Sequence, residues 1–344
     1  MTPEDYDYAL APEQIAQRPA AQRTAARMMV LRGQGAPVHA RVAALREHLP
    51  ADALLVVNAS RVVPARLHLA RADGRSFELL VCEPGPGQGA GTRVRAWVRG
   101  AKRLRQGDRI AAGALTLAYV GADDVDPRAR WFEIVTGELL PSLHAHGEVP
   151  LPPYIERPAG ADDRTRYQTV YAGPDGSVAA PTAGLHLDDA LVAALDPVRI
   201  TLHVGPGTFL PMEAADVREH RVGTERIEID EAAATRIEAA RREGRPIVAV
   251  GTTVTRALEA VAREHGGAVV PCRMDTDLVI TPGHRFAVVG GLLTNFHLPR
   301  SSLLMLVCTF GGHPRVMAAY EEAVREGYRF YSYGDCMLLD GSPS

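Results

Sequence analysis

Residues 246–256 read PIVAVGTTVTR, and this segment indicates the fold class. The apolar run at its start predicts a buried strand over residues 246–251. Residues 253–264 follow at once and predict a helix. A buried strand that leads directly into a helix is typical of a layered α/β domain.

The same alternation of strands and helices fills the second half of the chain. The pattern predicts further strands over residues 198–204 and near 286–289, and helices over 230–243, from 302 and over 314–325. Asp230 is a suitable N-cap for the first of these helices. Residues 28–31 and 53–58 predict two more strands, with a short helix near 41–47, and we expect this first segment to rejoin the α/β layer.

Residues 61–136 follow a different pattern, because each apolar run is short and is bounded by Gly, Pro or Asp. Strands are predicted over residues 62–69, 76–82, 92–98, 115–120 and 131–135. Five or six short strands without a helix favour a small barrel or sandwich. The prediction is therefore an α/β layered domain, residues 1–60 and 147–344, with an inserted small β-barrel domain, residues 61–146.

Composition excludes several classes of protein. The 344 residues are 46% hydrophobic and carry a formal net charge of −3, so neither a disordered chain nor a strongly basic nucleic-acid coat is expected. Four cysteines stand outside any C-x-x-C pair, which favours reduced, mainly buried thiols and a cytoplasmic protein. No signal peptide or apolar run long enough for a membrane is predicted.

Polar turns between these elements are candidates for chemistry. Residues 176–186, GSVAAPTAGLH, place His186 beside small residues that permit close backbone approach to a ligand; the alternative is a plain strand–turn–helix connection. Residues 201–208, TLHVGPGT, place His203 before a Gly-Pro-Gly turn. No third glycine opens a long helix there, so the dinucleotide-binding fingerprint fails.

Three more turns carry polar or aromatic groups. Residues 250–253, VGTT, join a strand to a helix and suit a carboxylate or phosphate, with simple N-capping as the alternative. Residues 294–299, TNFHLP, hold Asn295 and His297, which need partners or a ligand if buried. Residues 328–335, YRFYSYGD, concentrate aromatic groups that can stack a purine, although such a strand is more often core.

Two other chemistries are poorly supported. The three histidines are far apart and lack an H-E-x-x-H pattern or cysteine partners at ligand spacing, so no metal is predicted. No G-x-S-x-G run occurs, which argues against a hydrolase with a serine nucleophile.

Together these turns resemble one family. Seven segments, in this order, are similar to the S-adenosylmethionine:tRNA ribosyltransferase-isomerases of queuosine biosynthesis: residues 147–157, 167–172, 176–186, 201–209, 250–253, 294–299 and 328–335. The resemblance implies that the ribosyl part of S-adenosylmethionine is transferred to, and isomerised on, a 7-aminomethyl-7-deazaguanine in the tRNA anticodon. Epoxyqueuosine, adenine and methionine are the products, and no metal or second cofactor is needed.

That reaction needs a base for the acidified C5′ hydrogen, a proton donor for the departing adenine and anchors for the methionine part. Histidine suits both proton transfers near neutral pH. The resemblance makes His186, His203 and His297 the catalytic candidates, with base and acid unassigned. The substrate-binding candidates are Pro181, Thr182, Gly184, Gly205, Gly207, Thr208, Thr252, Thr253, Asn295, Phe296, Tyr331, Tyr333 and Asp335.

Within that set, Thr252 and Thr253 are predicted to hold the methionine carboxylate, and Asp335 to meet its ammonium or a substrate amine. Contacts with tRNA phosphates are expected from Arg61, Arg66, Lys102, Arg103 and Arg105, although a solvated surface is the commoner role of such residues. The sequence does not fix the oligomeric state; a monomer is the working expectation.

Four positions depart from the family pattern. Thr24, Ala59 and Gly290 stand where the family has acids, and Gly223 stands where it has a histidine. One interpretation is that donor binding is kept and the acceptor has changed; the other is that the missing groups served only as caps and ion-pair partners. Two alternatives therefore stay open beside the tRNA enzyme: a relative that uses the same donor on a small-molecule acceptor, and a catalytically silent binding protein.

Overall fold

The computed structural model describes residues 1–85, 87–209, 212 and 214–340, without the side chains of Thr208 and Phe209. Within these ranges the chain forms seventeen strands. In chain order they are β1 Arg27–Leu31, β2 Val38–Arg41, β3 Leu54–Asn58, β4 Arg61–Val62, β5 Arg66–Arg71, β6 Ser76–Val81, β7 Arg93–Arg99, β8 Arg109–Ala112, β9 Leu115–Ala122, β10 Ala129–Thr136, β11 Asp175–Ser177, β12 Val198–His203, β13 Glu225–Ile229, β14 Ile247–Val250, β15 Cys272–Thr276, β16 Gly291–Asn295 and β17 Cys336–Asp340.

Seven α-helices are described. They are α1 Leu139–His146, α2 Asp163–Arg166, α3 Asp189–Leu195, α4 Glu231–Arg242, α5 Thr252–Glu264, α6 Ser302–Gly311 and α7 His313–Arg325. The starts of α3, α4 and α6 follow from local sequence, because Asp188, Asp230 and Ser301 each accept a hydrogen bond from a backbone N–H in the first turn. Short 3-10 turns fill several connections, including Val42–His48 and Thr182–His186.

Nine strands form a mixed sheet in the order β15-β13-β12-β3-β14-β16-β17-β1-β2. At its centre β12, β3, β14 and β16 run parallel to one another. All four residues of β14 are buried, as a strand covered on both faces requires. Because these four strands are parallel, their carboxyl ends lie at one edge of the sheet, where ligands of α/β proteins commonly bind.

A separate six-stranded antiparallel sheet is formed by β5 to β10, and its pairings close in the order β10-β7-β6-β5-β8-β9. Its interior is an apolar cluster that includes Leu67, Phe77 and Phe132. The predicted combination of an α/β layer with a separate set of short strands is thus confirmed. The division into an inserted domain, residues 61–146, stays a prediction.

Some element predictions were wrong. Residues 286–289 form no strand, because the buried carboxylate of Glu259 accepts the N–H groups of Ala287, Val288 and Val289; the strand lies at β16 instead. The predicted strand over 62–69 is broken after β4, in the segment that contains Pro64. Strands β2, β8, β11, β13, β15 and β17 were missed, because each is short and several alternate with polar residues.

The four cysteines are free thiols, as expected, and Cys272 is half-buried while the others are buried. Helices long and apolar enough to cross a membrane are absent from the part of the chain described.

Candidate active site

A small cavity of about 60 Å³ lies at the carboxyl edge of the parallel strands. It is lined from four turns that are remote in sequence: residues 179–183, 251–253, 294–297 and 331–332. The full set of lining residues is Tyr154, Tyr167, Ala179, Ala180, Pro181, Thr182, Ala183, Val204, Gly251, Thr252, Thr253, Arg256, Thr294, Asn295, His297, Leu303, Tyr331 and Ser332. Six predicted substrate-binding residues are therefore brought together: Pro181, Thr182, Thr252, Thr253, Asn295 and Tyr331.

His297 is the catalytic candidate whose ring lines this cavity. Its Nε2 lies 2.8 Å from Oγ1 of Thr294, and its backbone N–H donates to the hydroxyl of Tyr320 at 3.0 Å. Burial lowers the pKa of His297 to about 3, so the imidazole is neutral at neutral pH. A neutral imidazole has one nitrogen that accepts a proton and one that donates, and the Thr294 hydroxyl, which can donate or accept, is compatible with either tautomer.

His186 reaches the cavity through Asn295. The amide Nδ2 of Asn295 donates to Nε2 of His186 at 3.0 Å and to the carbonyl oxygen of Tyr331 at 3.1 Å. Burial, with smaller contributions from Arg329 and Arg23, lowers the pKa of His186 to about 4. The Oδ1 atom of Asn295 is buried and has no hydrogen-bond partner in the described structure, which leaves an acceptor available to a ligand.

His203 lies outside the cavity, although the next residue, Val204, lines it. Its ring packs on Gly176, where a Cβ atom would come 2.4 Å from Nδ1. This close approach explains why a glycine, at φ +150°, stands at position 176. Burial lowers the pKa of His203, and its Nδ1 has no partner among the residues described.

The start of α5 forms one wall. Gly251 adopts φ +99°, and the first backbone bond of the helix runs from Thr255 N–H to the Gly251 carbonyl at 3.2 Å. The N–H groups before it have no helical acceptor. The buried Oγ1 of Thr253 also lacks a partner within the described ranges, so simple capping by this hydroxyl is not what the structure shows.

Arg256 is not among the predicted site residues, which in this segment are Thr252 and Thr253. Its side chain is buried and lines the cavity one helical turn after Thr252. Nη1 lies 2.6 Å from Oε2 of Glu225, and Nε donates to the Leu278 carbonyl at 2.9 Å. Burial raises the pKa of Glu225, and the contact with Arg256 opposes that shift. The signal available in sequence was the i, i+4 spacing of Thr252 and Arg256, which places both side chains on one helical face.

A second, larger cavity of about 740 Å³ shares Arg256 and Leu303 with the first. It lies between the six-stranded sheet, which contributes Arg95 and Trp97, and the turns that carry Gly205 and Gly207. The glycines of the Gly-Pro-Gly turn thus border this cavity and not the smaller one. The side chain of Thr208 is outside the described residues.

Four predicted substrate-binding residues face elsewhere. Gly184 packs against Tyr171, whose Oη lies 2.0 Å from where a Cβ would be, and Phe296 belongs to the apolar core. The Tyr333 hydroxyl donates to Asp163 at 2.7 Å. Asp335 accepts the backbone N–H groups of Arg27 and Arg329 at 2.9 and 2.8 Å, which gives its carboxylate a structural role.

The basic residues predicted to contact tRNA differ in whether their side chains are already bonded to protein groups. Arg61 donates to the carbonyls of Ala172 and Gly173, and Nε of Arg66 lies 3.7 Å from Oε1 of Glu78. Lys102 and Arg103 are exposed on a 3-10 turn of the six-stranded sheet, and Arg105 is exposed just after it. Clusters of three or more His, Cys, Asp or Glu placed to hold a metal do not occur in the described ranges.

Residues 3–339 match the family model described as queuosine biosynthesis protein. The chain belongs to this family. It is 48% identical to the S-adenosylmethionine:tRNA ribosyltransferase-isomerase of Anaeromyxobacter dehalogenans (strain 2CP-C), over 97% of this chain and 98% of that protein. It is 45% identical to the protein of that name from Nitratidesulfovibrio vulgaris (strain DP4), over 97% and 96%.

A solved structure agrees with this family membership. The crystal structure of S-adenosylmethionine tRNA ribosyltransferase from Thermotoga maritima is 31% identical, covers 97% of this chain and 99% of its own, and superposes with a TM-score of 0.53. The resemblance drawn from the seven sequence segments is therefore confirmed.

Proposed function

We propose that this chain transfers and isomerises the ribosyl part of S-adenosylmethionine onto 7-aminomethyl-7-deazaguanine in a tRNA anticodon. Epoxyqueuosine is formed, and adenine and methionine are released. The family match over residues 3–339 and the names of full-length relatives support this activity. S-adenosylmethionine is a co-substrate in this scheme, without a further cofactor, and a cytoplasmic monomer stays a prediction.

The observation that carries the proposal is the single cavity at the carboxyl edge of the sheet. Turns that are remote in sequence supply a neutral histidine, an amide with a free acceptor, a helix N-terminus and an arginine to one small space. Packing alone does not explain buried polar atoms without partners, because each costs about 1–3 kcal/mol. Bound substrate supplies the missing partners.

His297 is the residue we assign to proton transfer. Its neutral ring lines the cavity, and the Thr294 hydroxyl fixes its orientation. When Nε2–H donates to Thr294, Nδ1 accepts the C5′ proton; in the other tautomer Nδ1–H donates to adenine. His186 acts through Asn295 and is a positioning residue, and His203 lies outside the cavity and is assigned no proton transfer.

Asn295 and Tyr331 complete the donor site. The free Oδ1 of Asn295 accepts a hydrogen bond from the donor. The Tyr331 ring contacts the Tyr154 ring edge to face, with centroids 3.8 Å apart, and both rings line the cavity. Aromatic faces of this kind suit an adenine ring or a sulfonium.

The tRNA is proposed to contact the exposed turn that carries Lys102 and Arg103. These two cations are exposed to solvent, whereas Arg61 and Arg66 are engaged with protein groups. The anticodon base then enters the larger cavity between the two sheets, which joins the smaller one at Arg256.

Transfer of the ribosyl group to a small-molecule acceptor is the second candidate function. The places of the positions that depart from the family pattern bear on it. Of the four positions that depart from the family pattern, Gly223 lines the larger cavity. Ala59 is buried with both backbone groups paired, and Gly290 N–H donates to the Ile247 carbonyl. The identities of 45–48% across nearly the whole chain favour the tRNA enzyme over this alternative.

An assay of adenine release tests the function. The protein is incubated with S-adenosylmethionine labelled in the adenine ring and with tRNA that carries the aminomethyl-deazaguanine base; the same tRNA with unmodified guanine is the control. Adenine, methionine and epoxyqueuosine are expected with the modified tRNA alone. Adenine release that is independent of tRNA would support the small-molecule acceptor, and no release under any condition would support a silent binding protein.

A further inference from the structure

The guanidinium of Arg256 has two nitrogens bonded to protein groups and a third without a partner in the described structure. Nη1 is held by Glu225 and Nε by the Leu278 carbonyl, whereas Nη2 is buried and unpartnered among the residues that the structure describes. The residue is 5% exposed, so bulk water does not replace the missing acceptor. A buried charged donor without a partner is strongly unfavourable, which indicates that a ligand atom belongs there.

Other donors line the same small cavity as Arg256. Thr252 and Thr253 precede Arg256 by four and three residues and therefore share its face of α5. Oγ1 of Thr253 is buried without a partner in the described structure, and the first N–H groups of α5 lie at the positive end of a helix of 13 residues. A guanidinium, a hydroxyl and helix N–H groups all donate hydrogen bonds, so their shared ligand is an anion.

We infer that Nη2 of Arg256, with Thr253 and the first turn of α5, binds the carboxylate of the methionine part of S-adenosylmethionine and selects donors that carry it. This inference rests on the proposed function. The carboxylate is the one anionic group of that donor.

The charges in the site are balanced by this arrangement. Glu225 already offsets the charge of Arg256 at a distance of 2.6 Å, so a second anion needs further positive charge. The N-terminus of α5 supplies part of it, and the sulfonium and ammonium of the same ligand supply the rest. Glu225 is thus a positioning residue that holds the guanidinium with its Nη2 toward the ligand.

Equilibrium binding to the full-length protein tests the inference. The ligands are S-adenosylmethionine and its decarboxylated form, and calorimetry gives both dissociation constants. Wild-type protein is expected to bind S-adenosylmethionine about tenfold to hundredfold more tightly, as for a charge-assisted hydrogen bond. Arg256→Lys is expected to remove most of that preference, with little change for the decarboxylated ligand.

The matched control is Arg315→Lys, because Arg315 in α7 also pairs with a carboxylate, at 2.6 Å from Asp340, but lies outside both cavities. It is expected to keep the full preference. Equal affinity of wild-type protein for the two ligands would overturn the inference, even if Arg256→Lys failed to fold. If wild-type protein binds neither ligand, the proposed function fails as well, so the two failures are distinguishable.

Discussion

Nδ2 of Asn295 donates a hydrogen bond to Nε2 of His186 at 3.0 Å, and this contact fixes which ring nitrogen carries the proton. The same Nδ2 donates to the Tyr331 carbonyl at 3.1 Å. A carbonyl oxygen accepts only from a donor, so the amide cannot be reversed, and Nε2 of His186 is the unprotonated nitrogen. Tyr331 sits at φ +72°, a left-handed conformation that costs a tyrosine about 1 kcal/mol or more.

The first prediction is that substitutions of the three histidines lower the rate of adenine release by different amounts. His297→Gln is expected to lower the rate of adenine release about 10²–10⁴-fold, the range for one lost proton transfer, with donor affinity changed only a few-fold. His186→Gln is expected to have a smaller effect on rate, and His203→Gln the smallest. Single-turnover release of labelled adenine measures all three. A His203 variant as impaired as the His297 variant would contradict the assignment.

The second prediction concerns the coupling between Asn295 and His186. Asn295→Leu leaves the buried Nε2 of His186 without its donor, and His186→Leu leaves a buried N–H of Asn295 without its acceptor. The double variant removes both groups of this hydrogen bond. The double variant is therefore expected to be less destabilised than the sum of the single variants, by about 0.5–3 kcal/mol. Urea unfolding of the four proteins gives the coupling, and strict additivity would show that the bond contributes nothing.

The third prediction is a pH dependence of stability. Burial lowers the pKa of His186 to about 4 and that of His297 to about 3, from an ordinary 6.5. The free energy of unfolding that these two neutral histidines contribute is present above pH 6.5. It is lost as the pH falls toward the folded pKa values, because the unfolded chain binds the protons first. Each histidine should remove about 1.4 kcal/mol of unfolding free energy per pH unit in that window.

Urea unfolding at pH 6.5 and pH 5 measures this slope. His186→Gln is expected to reduce the slope by up to about 1.4 kcal/mol per pH unit, since one proton uptake is lost. A variant with the same pH slope as wild type would mean that His186 is protonated in the folded protein.

The fourth prediction tests why Gly184 is a glycine. An alanine Cβ would lie 2.0 Å from Oη of Tyr171, so Gly184→Ala is expected to destabilise the protein by about 1–3 kcal/mol through overpacking. Tyr171→Phe removes that oxygen and is expected to restore part of the loss in the double variant. Restoration is incomplete because Thr169 Cγ2 also lies 2.9 Å away. Loss of donor binding without loss of stability would instead indicate a ligand role for Gly184.

The sequence predicted the elements whose signals are local. Residues 246–256 gave a buried strand and a helix that the structure places at β14 and α5, and Asp230 caps α4 as expected. Short strands such as β15 were missed because their alternation is weak and their pairing is set by partners far along the chain. The turns at Thr252, Asn295 and Tyr331 were found because small and polar residues between apolar runs are conspicuous.

The directions of side chains could not be predicted in the same way. His203 and Val204 are neighbours on one extended segment, and the structure puts Val204, not His203, at the small cavity. Asp335 looked available for a ligand ammonium, but two backbone N–H groups from remote segments occupy it. Arg256 lies inside a helix and outside the polar turns from which the site was predicted. Its Nη1 is bonded to Glu225, which lies 31 positions earlier in the chain, and its Nη2 has no partner in the described structure.

A crystal structure of the protein with S-adenosylmethionine bound tests the central claim most directly. The donor is expected to lie at the carboxyl edge of β12, β14 and β16, with its sulfonium and sugar next to His297, Asn295 and Tyr331. Density for the donor confined to the larger cavity, or on another face with these three residues unchanged, would contradict it.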